Sequence, residues 1–245
     1  MGEALPDWVP GEFSGEVAFA TDYAFRGISR SAEAPVIQGA LGWAHSSGVH
    51  LGSFASLVDY EERTRNDASM QLDLFLGYRA RIEFFEYDFR GTFRLHPNAR
   101  GGLNYDYWEW GPRLGYHHAW ASVFLHYQWS QDFFRGSGDG HYLALETAIP
   151  LPGPIPLPFE WPGDVGLALD LGVGRQWTEA EAVRGVADHF EWRVGLQADV
   201  LGFSLGLHYV DTDLSDGRCR AGRDVCDARV VFRLARGFVA SRALP

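Results

Sequence analysis

The sequence predicts an all-β chain, a transmembrane up-and-down antiparallel β-barrel of about twelve strands. Three observations predict it. Apolar and polar residues alternate from end to end, the connections alternate between tight and long, and aromatic residues collect near the strand ends. The 245 residues are 46% hydrophobic and 15% aromatic, enough apolar surface to fold rather than stay disordered. There is no run of about 18 apolar residues to make a membrane helix. Helical periodicity is almost absent, its best stretch being the short, polar residues 178–187.

Side chains on a strand point alternately to opposite faces, so period-two patterns can be read element by element. Val17, Phe19, Tyr23 and Phe25 alternate with Glu16, Ala18, Asp22 and Arg26. Ile37, Leu41 and Trp43 alternate with Gln38, Ala40 and Gly42. A strand at 49–59 follows. Met70, Leu72, Leu74, Leu76, Tyr78, Ala80 and Ile82 oppose Gln71, Asp73, Phe75, Gly77, Arg79 and Arg81. Past Glu83 and Phe84 the pattern resumes, with Phe85, Tyr87, Phe89, Phe93 and Leu95 against Glu86, Asp88, Arg90, Thr92 and Arg94. Trp108, Trp110, Leu114 and Tyr116 face away from Glu109, Arg113 and Gly115. Val123, Leu125, Tyr127 and Trp129 oppose Ser122, His126 and Gln128, and a strand at 140–149 comes next. Val165, Leu167, Leu169, Leu171 and Val173 oppose Gly166, Asp170 and Gln176. Phe190, Trp192, Val194 and Leu196 oppose Glu191, Arg193, Gln197 and Asp199. Phe203, Leu205, Leu207 and Tyr209 oppose Ser204, Gly206 and His208, and Ala228, Val230, Phe232 and Leu234 oppose Arg229 and Arg233. Many of these segments approach the ~9–11 residues that a tilted membrane strand needs, and an even count suits a bacterial barrel.

The connections at 45–48, 81–84, 117–120 and 200–202 are tight; those at 28–35, 59–69, 96–106, 130–140, 178–188 and 213–226 are long. Short periplasmic turns opposite long extracellular loops belong to outer-membrane barrels. Residues 150–163 break the rule. Their six prolines make an extended, stiff segment, read as a long periplasmic loop. A soluble two-layer fold would share the alternation but not the loop rhythm. Aromatics at Phe25, Trp43, Phe84, Phe85, Tyr105, Tyr107, Trp108, Trp120, Trp129, Trp177, Phe190 and Trp192 suit interfacial girdles. The apolar faces are therefore expected to meet lipid.

The formal net charge of −11 argues against a nucleic-acid partner. The first residues have neither a basic nor an apolar signal region, so export implies a secretory signal already removed. The expected organisation is a periplasmic segment at 1–14, one barrel at 15–238 and a tail at 239–245.

The stretches "GEVAFATDYAFRGISRS" (15–31), "PVIQGALGWAHSSGVHLGSFASLVDY" (35–60) and "CDARVVFRLARGF" (226–238) carry a resemblance. The most specific part is "TDYAFRGIS" followed by the "QGALGW" strand. These residues resemble the TorF-type porin family, Gram-negative outer-membrane proteins long catalogued as conserved hypotheticals. The resemblance spans roughly the whole chain, though its middle matches mainly in strand pattern. It implies an outer-membrane barrel that passes small solutes. Outer-membrane strands of this kind usually end on an aromatic, which Phe238 supplies, yet residues 239–245 follow it.

By parity, the lumen receives Arg26, Arg79, Arg81, Arg90, Arg94, Arg113, Arg193, Arg229 and Arg233. It also receives Glu16, Asp22, Asp73, Glu86, Asp88, Glu109, Glu146, Asp170, Glu191 and Asp199. These are the candidate pore-lining residues, a wall of both charge signs that would order ions and small polar solutes. The bland alternative is that they pair with one another and fill the barrel. Cys219 and Cys226, in the last long loop, read as a disulfide. No further Cys or His stands beside them to make a metal site. "DTDLSDG" (211–217) lacks the spacing of a calcium loop. His117 and His118 read as polar turn residues, and the glycines of 172–176 lack the helix that a phosphate cradle needs.

No catalytic motif emerges: the lipid-facing set holds no Ser–His pair, and a lumen set such as His126 with a carboxylate has no motif behind it. No cofactor or metal is expected. The expected function is a porin-like channel for passive diffusion of ions or small polar solutes, in contact with outer-membrane lipid and lipopolysaccharide. The alternative is a non-conducting structural or adhesive barrel whose extracellular loops bind a partner.

Overall fold

The computed structural model describes residues 11–60, 68–100, 102–152, 165–180, 187–215, 217–219 and 224–240. The wall strands are β1 (Glu12–Ala20), β4 (Val36–Ala44), β5 (Val49–Leu57), β6 (Met70–Ile82), β7 (Phe85–Leu95) and β8 (Tyr107–His118). They continue as β9 (Ala121–Ser130), β10 (Gly140–Pro150), β11 (Gly166–Thr178), β12 (His189–Val200), β13 (Phe203–Thr212) and β14 (Arg229–Ala240). Each pairs antiparallel with its sequence neighbours, and β1 also pairs with β14, so twelve strands close into a barrel. Closure leaves no open edge, the condition for crossing a bilayer on strands. The strands run from 9 to 13 residues. β1 opens at Glu12 and β14 runs to Ala240, whereas the pattern placed the barrel at 15–238. Most of the Pro-rich 150–163 segment, residues 1–10 and residues 241–245 lie outside the described residues.

The outward face is apolar around the wall: Val17, Ile37, Leu41, Leu76, Tyr87, Leu114, Leu125, Val173, Leu196, Leu207 and Val230 are all exposed. Phe93 stacks on Trp108 at 4.3 Å, and Trp110 on Trp129 at 6.2 Å, as an outward aromatic belt. The inward face is polar, with Gln38, His50, Gln71, Asp73, Asp88, Arg94, Glu109 and Gln176 buried. The apolar core is therefore not between sheets. It lies among the long loops at one end, where Tyr23, Val58, Tyr60, Ala68, Tyr105, Tyr107, Phe133 and Phe134 pack together. A smaller cluster joins Ala187, Leu214 and Val225 to the bonded Cys219–Cys226 pair.

Three sequence expectations are corrected. The first strand stops at Ala20 instead of continuing through Arg26. After Thr21 the chain turns into the lumen and forms a two-stranded hairpin, β2 (Ala24–Phe25) and β3 (Ile28–Ser29). Tyr23, Tyr105 and Tyr107 are consequently interior residues of the loop core, and Phe25 packs against it; none of the four belongs to a girdle. For Tyr107 the reason is parity, since it shares a strand face with Glu109. His117 and His118 are the last residues of β8 rather than turn residues.

Candidate channel constriction

The hairpin is positioned by the ends of the chain around it. Asp22 sits at its base and accepts hydrogen bonds from the Ser29 hydroxyl at 2.5 Å, the Ser31 hydroxyl at 2.8 Å and Arg229 Nε at 2.6 Å. The Ser29 N–H donates to the Val225 carbonyl, and the Asp59 N–H to the Arg30 carbonyl. Arg26 and Gly27 form the two-residue turn, both at positive φ (52° and 76°), as the primed turns of tight hairpins require. Glycine is needed at 27 for a second reason. A Cβ there would stand 2.4 Å from Thr212 Cγ2 and 2.8 Å from Glu191 Cβ. The carbonyls of the two turn residues are capped from the wall: Arg229 donates to Gly27 O, and His189 Nε2 lies 2.9 Å from Arg26 O. The other His189 ring nitrogen faces the Ala187 carbonyl, also at 2.9 Å.

Arg26 occupies a left-handed conformation that non-glycine residues adopt at some cost, and its side chain accounts for it. The guanidinium donates to Gln176 at 2.6 Å, Glu109 at 2.7 Å and Gln128 at 2.6 Å, spanning three strands of the wall. Arg30 extends the set toward β6, donating to Gln71 at 2.6 Å and to the Tyr107 hydroxyl of β8 at 3.2 Å. Arg94, from β7, pairs with Asp73 at 3.0 Å and with Glu109. All three guanidiniums surround one ring, Phe25, at 3.7 Å for Arg30, 4.4 Å for Arg94 and 4.8 Å for Arg26. A ring face attracts cations and holds them without neutralising them. The lumen is thus crossed at this level by a polar knot centred on an apolar ring.

Toward the short-turn end the charges lie along the wall instead of across the lumen. Arg79 pairs with Asp88 at 2.7 Å, and His50 meets the same carboxylate at 3.0 Å. Arg113 reaches Glu86 at 3.3 Å and lies over the Phe124 ring at 3.5 Å. A chain of polar contacts links His126, Glu146, Arg193, Asp170 and His208 across β9 to β13. Small neighbours let these side chains lie flat: a Cβ on Gly195 would stand 2.3 Å from His208, and one on Gly172 would stand 3.1 Å from Arg193. Arg233 pairs with Glu16, and Glu191 accepts from the Tyr142 hydroxyl at 2.6 Å. Arg90 stands over the Phe75 ring at 5.2 Å. A cavity of about 140 Å³ opens among Arg79, Asp88, Arg90, Arg113, His126 and Gln128, room for several waters.

The structure sorts the sequence-derived charges into three groups. Arg26, Asp22, Arg229, Arg94, Asp73, Glu109 and Glu191 belong to the hairpin and its anchors. Arg79, Glu86, Asp88, Arg90, Arg113, Glu146, Asp170, Arg193, Glu16 and Arg233 line the lumen below it. Arg81 and Asp199 sit exposed at the short-turn rim, with Ser204 donating to Asp199 at 2.7 Å. Arg26 and Asp22 come from the infolded segment, not from a wall strand. Sequence reasoning missed Arg30, Gln71, Gln128 and Gln176. The available signal was the second arginine of "FRGISRS", a basic residue inside an otherwise compact turn motif. His117 and Ser122 meet on the inward face at 3.1 Å, also unforeseen.

Solved structures show the same fold at low identity. The KdgM porin superposes with a TM-score of 0.53 at 9% identity, over 93% of this chain and 98% of that one. A second KdgM structure, in complex with disordered oligogalacturonate, gives 0.51 at 8% over 95% and 99%. The NanC porin gives 0.50 at 10% over 94% and 100%. No curated protein sequence matches the chain. A family described as bacterial protein of unknown function (Gcw_chp) matches residues 7–238. The chain belongs to the Gcw_chp family, and it has the closed barrel fold of outer-membrane porins.

Proposed function

We propose that the protein is an outer-membrane channel for ions or small polar solutes, with the β2–β3 hairpin as its constriction. The observation that carries this reading is the inversion of the barrel: an apolar belt outside and, inside, charges that lie along the wall and leave a polar cavity among them. In a lipid-embedded barrel a polar lumen is the feature that admits water and solute. Pairing of nearly all the inward charges favours weak selectivity, with Arg90 and Arg113 as the cations best placed to bias it. The resemblance of residues 15–31, 35–60 and 226–238 to TorF-type porins supports the same reading, and the KdgM complex is a precedent for a polar solute on such a barrel.

The test is ion current through the refolded protein in a planar lipid bilayer, beside an Arg90→Ala, Arg113→Ala variant. Discrete steps are expected, small in the native protein because the hairpin crosses the lumen, with a shift toward cations in the variant. Silence from protein shown to be folded and inserted would overturn the channel. The seated hairpin and the aromatic loop core would then mark a closed barrel that acts through its loops.

A further inference from the structure

A second cavity lies above the hairpin, between it and the loops that follow β9, β11 and β13. The basic groups on its lining are the guanidiniums of Arg26, Arg30, Arg135 and Arg218 and the imidazole of His189; no carboxylate lines it among the described residues. Exposure falls along this set. Arg218 is exposed and Arg135 half-buried, while Arg26 and Arg30 are 9% and 3% exposed. The result is a positively charged well that narrows from the loop surface toward the Phe25 knot. At its floor, Arg26 has Glu109 as a counter-ion, but among the described residues Arg30 donates only to neutral acceptors, Gln71, Tyr60 and Tyr107. A buried guanidinium without a counter-ion is costly, and an anion entering the well would offset that cost.

We propose that this well binds a carboxylate presented from the loop side, either a small acid or the acidic end of a larger solute. The planar guanidinium fork matches a carboxylate in two parallel hydrogen bonds. The cavity measures about 50 Å³. Where one water needs about 10–15 Å³, that admits about three or four non-hydrogen atoms, a carboxylate with one carbon behind it. Phe133, Phe134 and Leu214 supply the apolar side for that carbon. Recognition at this well does not require conduction, so it goes beyond the channel reading and is tested apart from it.

The experiment is saturation-transfer NMR on the detergent-folded full chain, titrated with acetate at fixed ionic strength. Acetamide (the same shape without charge) and inorganic phosphate are the comparison probes. Saturable acetate binding is expected, at least tenfold stronger than acetamide binding and weakened at least tenfold by Arg30→Gln and by Arg135→Gln. If Arg30→Gln unseats the hairpin, Arg135→Gln at the mouth of the well decides alone. Equal binding of acetate and acetamide, no binding of either, or full acetate affinity in Arg135→Gln would overturn the proposal. Phosphate binding more tightly than acetate would overturn the carboxylate assignment. Because no current is read, a silent bilayer leaves this result intact.

Discussion

Glu109 is the residue on which the interior turns. It is 2% exposed and pairs with arginines from two different places, Arg26 on the hairpin and Arg94 on β7. Removing one member of a buried ion network leaves charges desolvated and unbalanced, at a cost of about 3–5 kcal/mol. Glu109→Gln keeps the shape and removes the charge. It is expected to lower unfolding free energy by an amount in that range, read from urea titration of the detergent-folded protein; an unchanged midpoint would show that the network is not structural. At this scale the sequence was half legible. Period two sends Glu109 and Arg94 inward without knowledge of their partners. The partnership with Arg26 could not be read, because it joins residues 83 apart through a segment that leaves the wall. Gln71 and Gln176 were placed on the polar face but not read as partners, for the same reason: a neutral amide is recognisable as a ligand for arginine only once the arginine has been placed.

The hairpin is the element where the alternating pattern misled. Val17, Phe19, Tyr23 and Phe25 keep one parity, and nothing in apolar periodicity distinguishes an outward ring from one folded against a loop core. The signal that did exist was Gly27, which fits a turn and not a membrane strand. Gly27→Val places a β-branched side chain in left-handed backbone, worth about 1–2 kcal/mol, and forces it into Thr212 and Glu191. The hairpin should no longer seat, while the wall has no reason to change. Larger single-channel current is therefore expected from Gly27→Val, with the barrel still resistant to denaturation on an unheated gel. Native current from a folded Gly27→Val protein would show that the hairpin is not the constriction. The loop cluster held by the Cys219–Cys226 bond contributes to that seat, because it packs Leu214 and Val225 against Ile28 of β3.

For the whole molecule, the most legible feature was the rhythm of short and long connections, which follows from the up-and-down order: antiparallel strands return alternately to the same two rims, one built of short turns and the other of long loops. The alternation of faces was equally plain, and its meaning can be tested. Leu76 lies midway along β6 and is 60% exposed on the outward face. A cation there costs about 2–4 kcal/mol in a bilayer midplane, whereas in water an exposed Leu→Arg change is nearly neutral. Leu76→Arg is expected to lose stability by that amount in liposomes. A variant as stable as the native chain would deny that this face meets acyl chains. What the sequence hid was the contents of the barrel, since filling depends on contacts between distant segments and not on any local period.

The seam between β1 and β14 also sets a calendar for assembly. The hairpin leaves the chain directly after β1, near the beginning, yet its anchors come late. Val225, which receives the Ser29 N–H, and Arg229, which holds both Asp22 and the Gly27 carbonyl, belong to the final stretch, and His189 to the last three wall strands. Those contacts join residues up to 207 positions apart, the slowest kind to form. Until the last strand meets the first, the infolded segment has its Arg26 and Arg30 contacts to the earlier strands but lacks the Val225 and Arg229 fastenings at its base. Completion of the wall and full seating of the hairpin's base thereby become the same event.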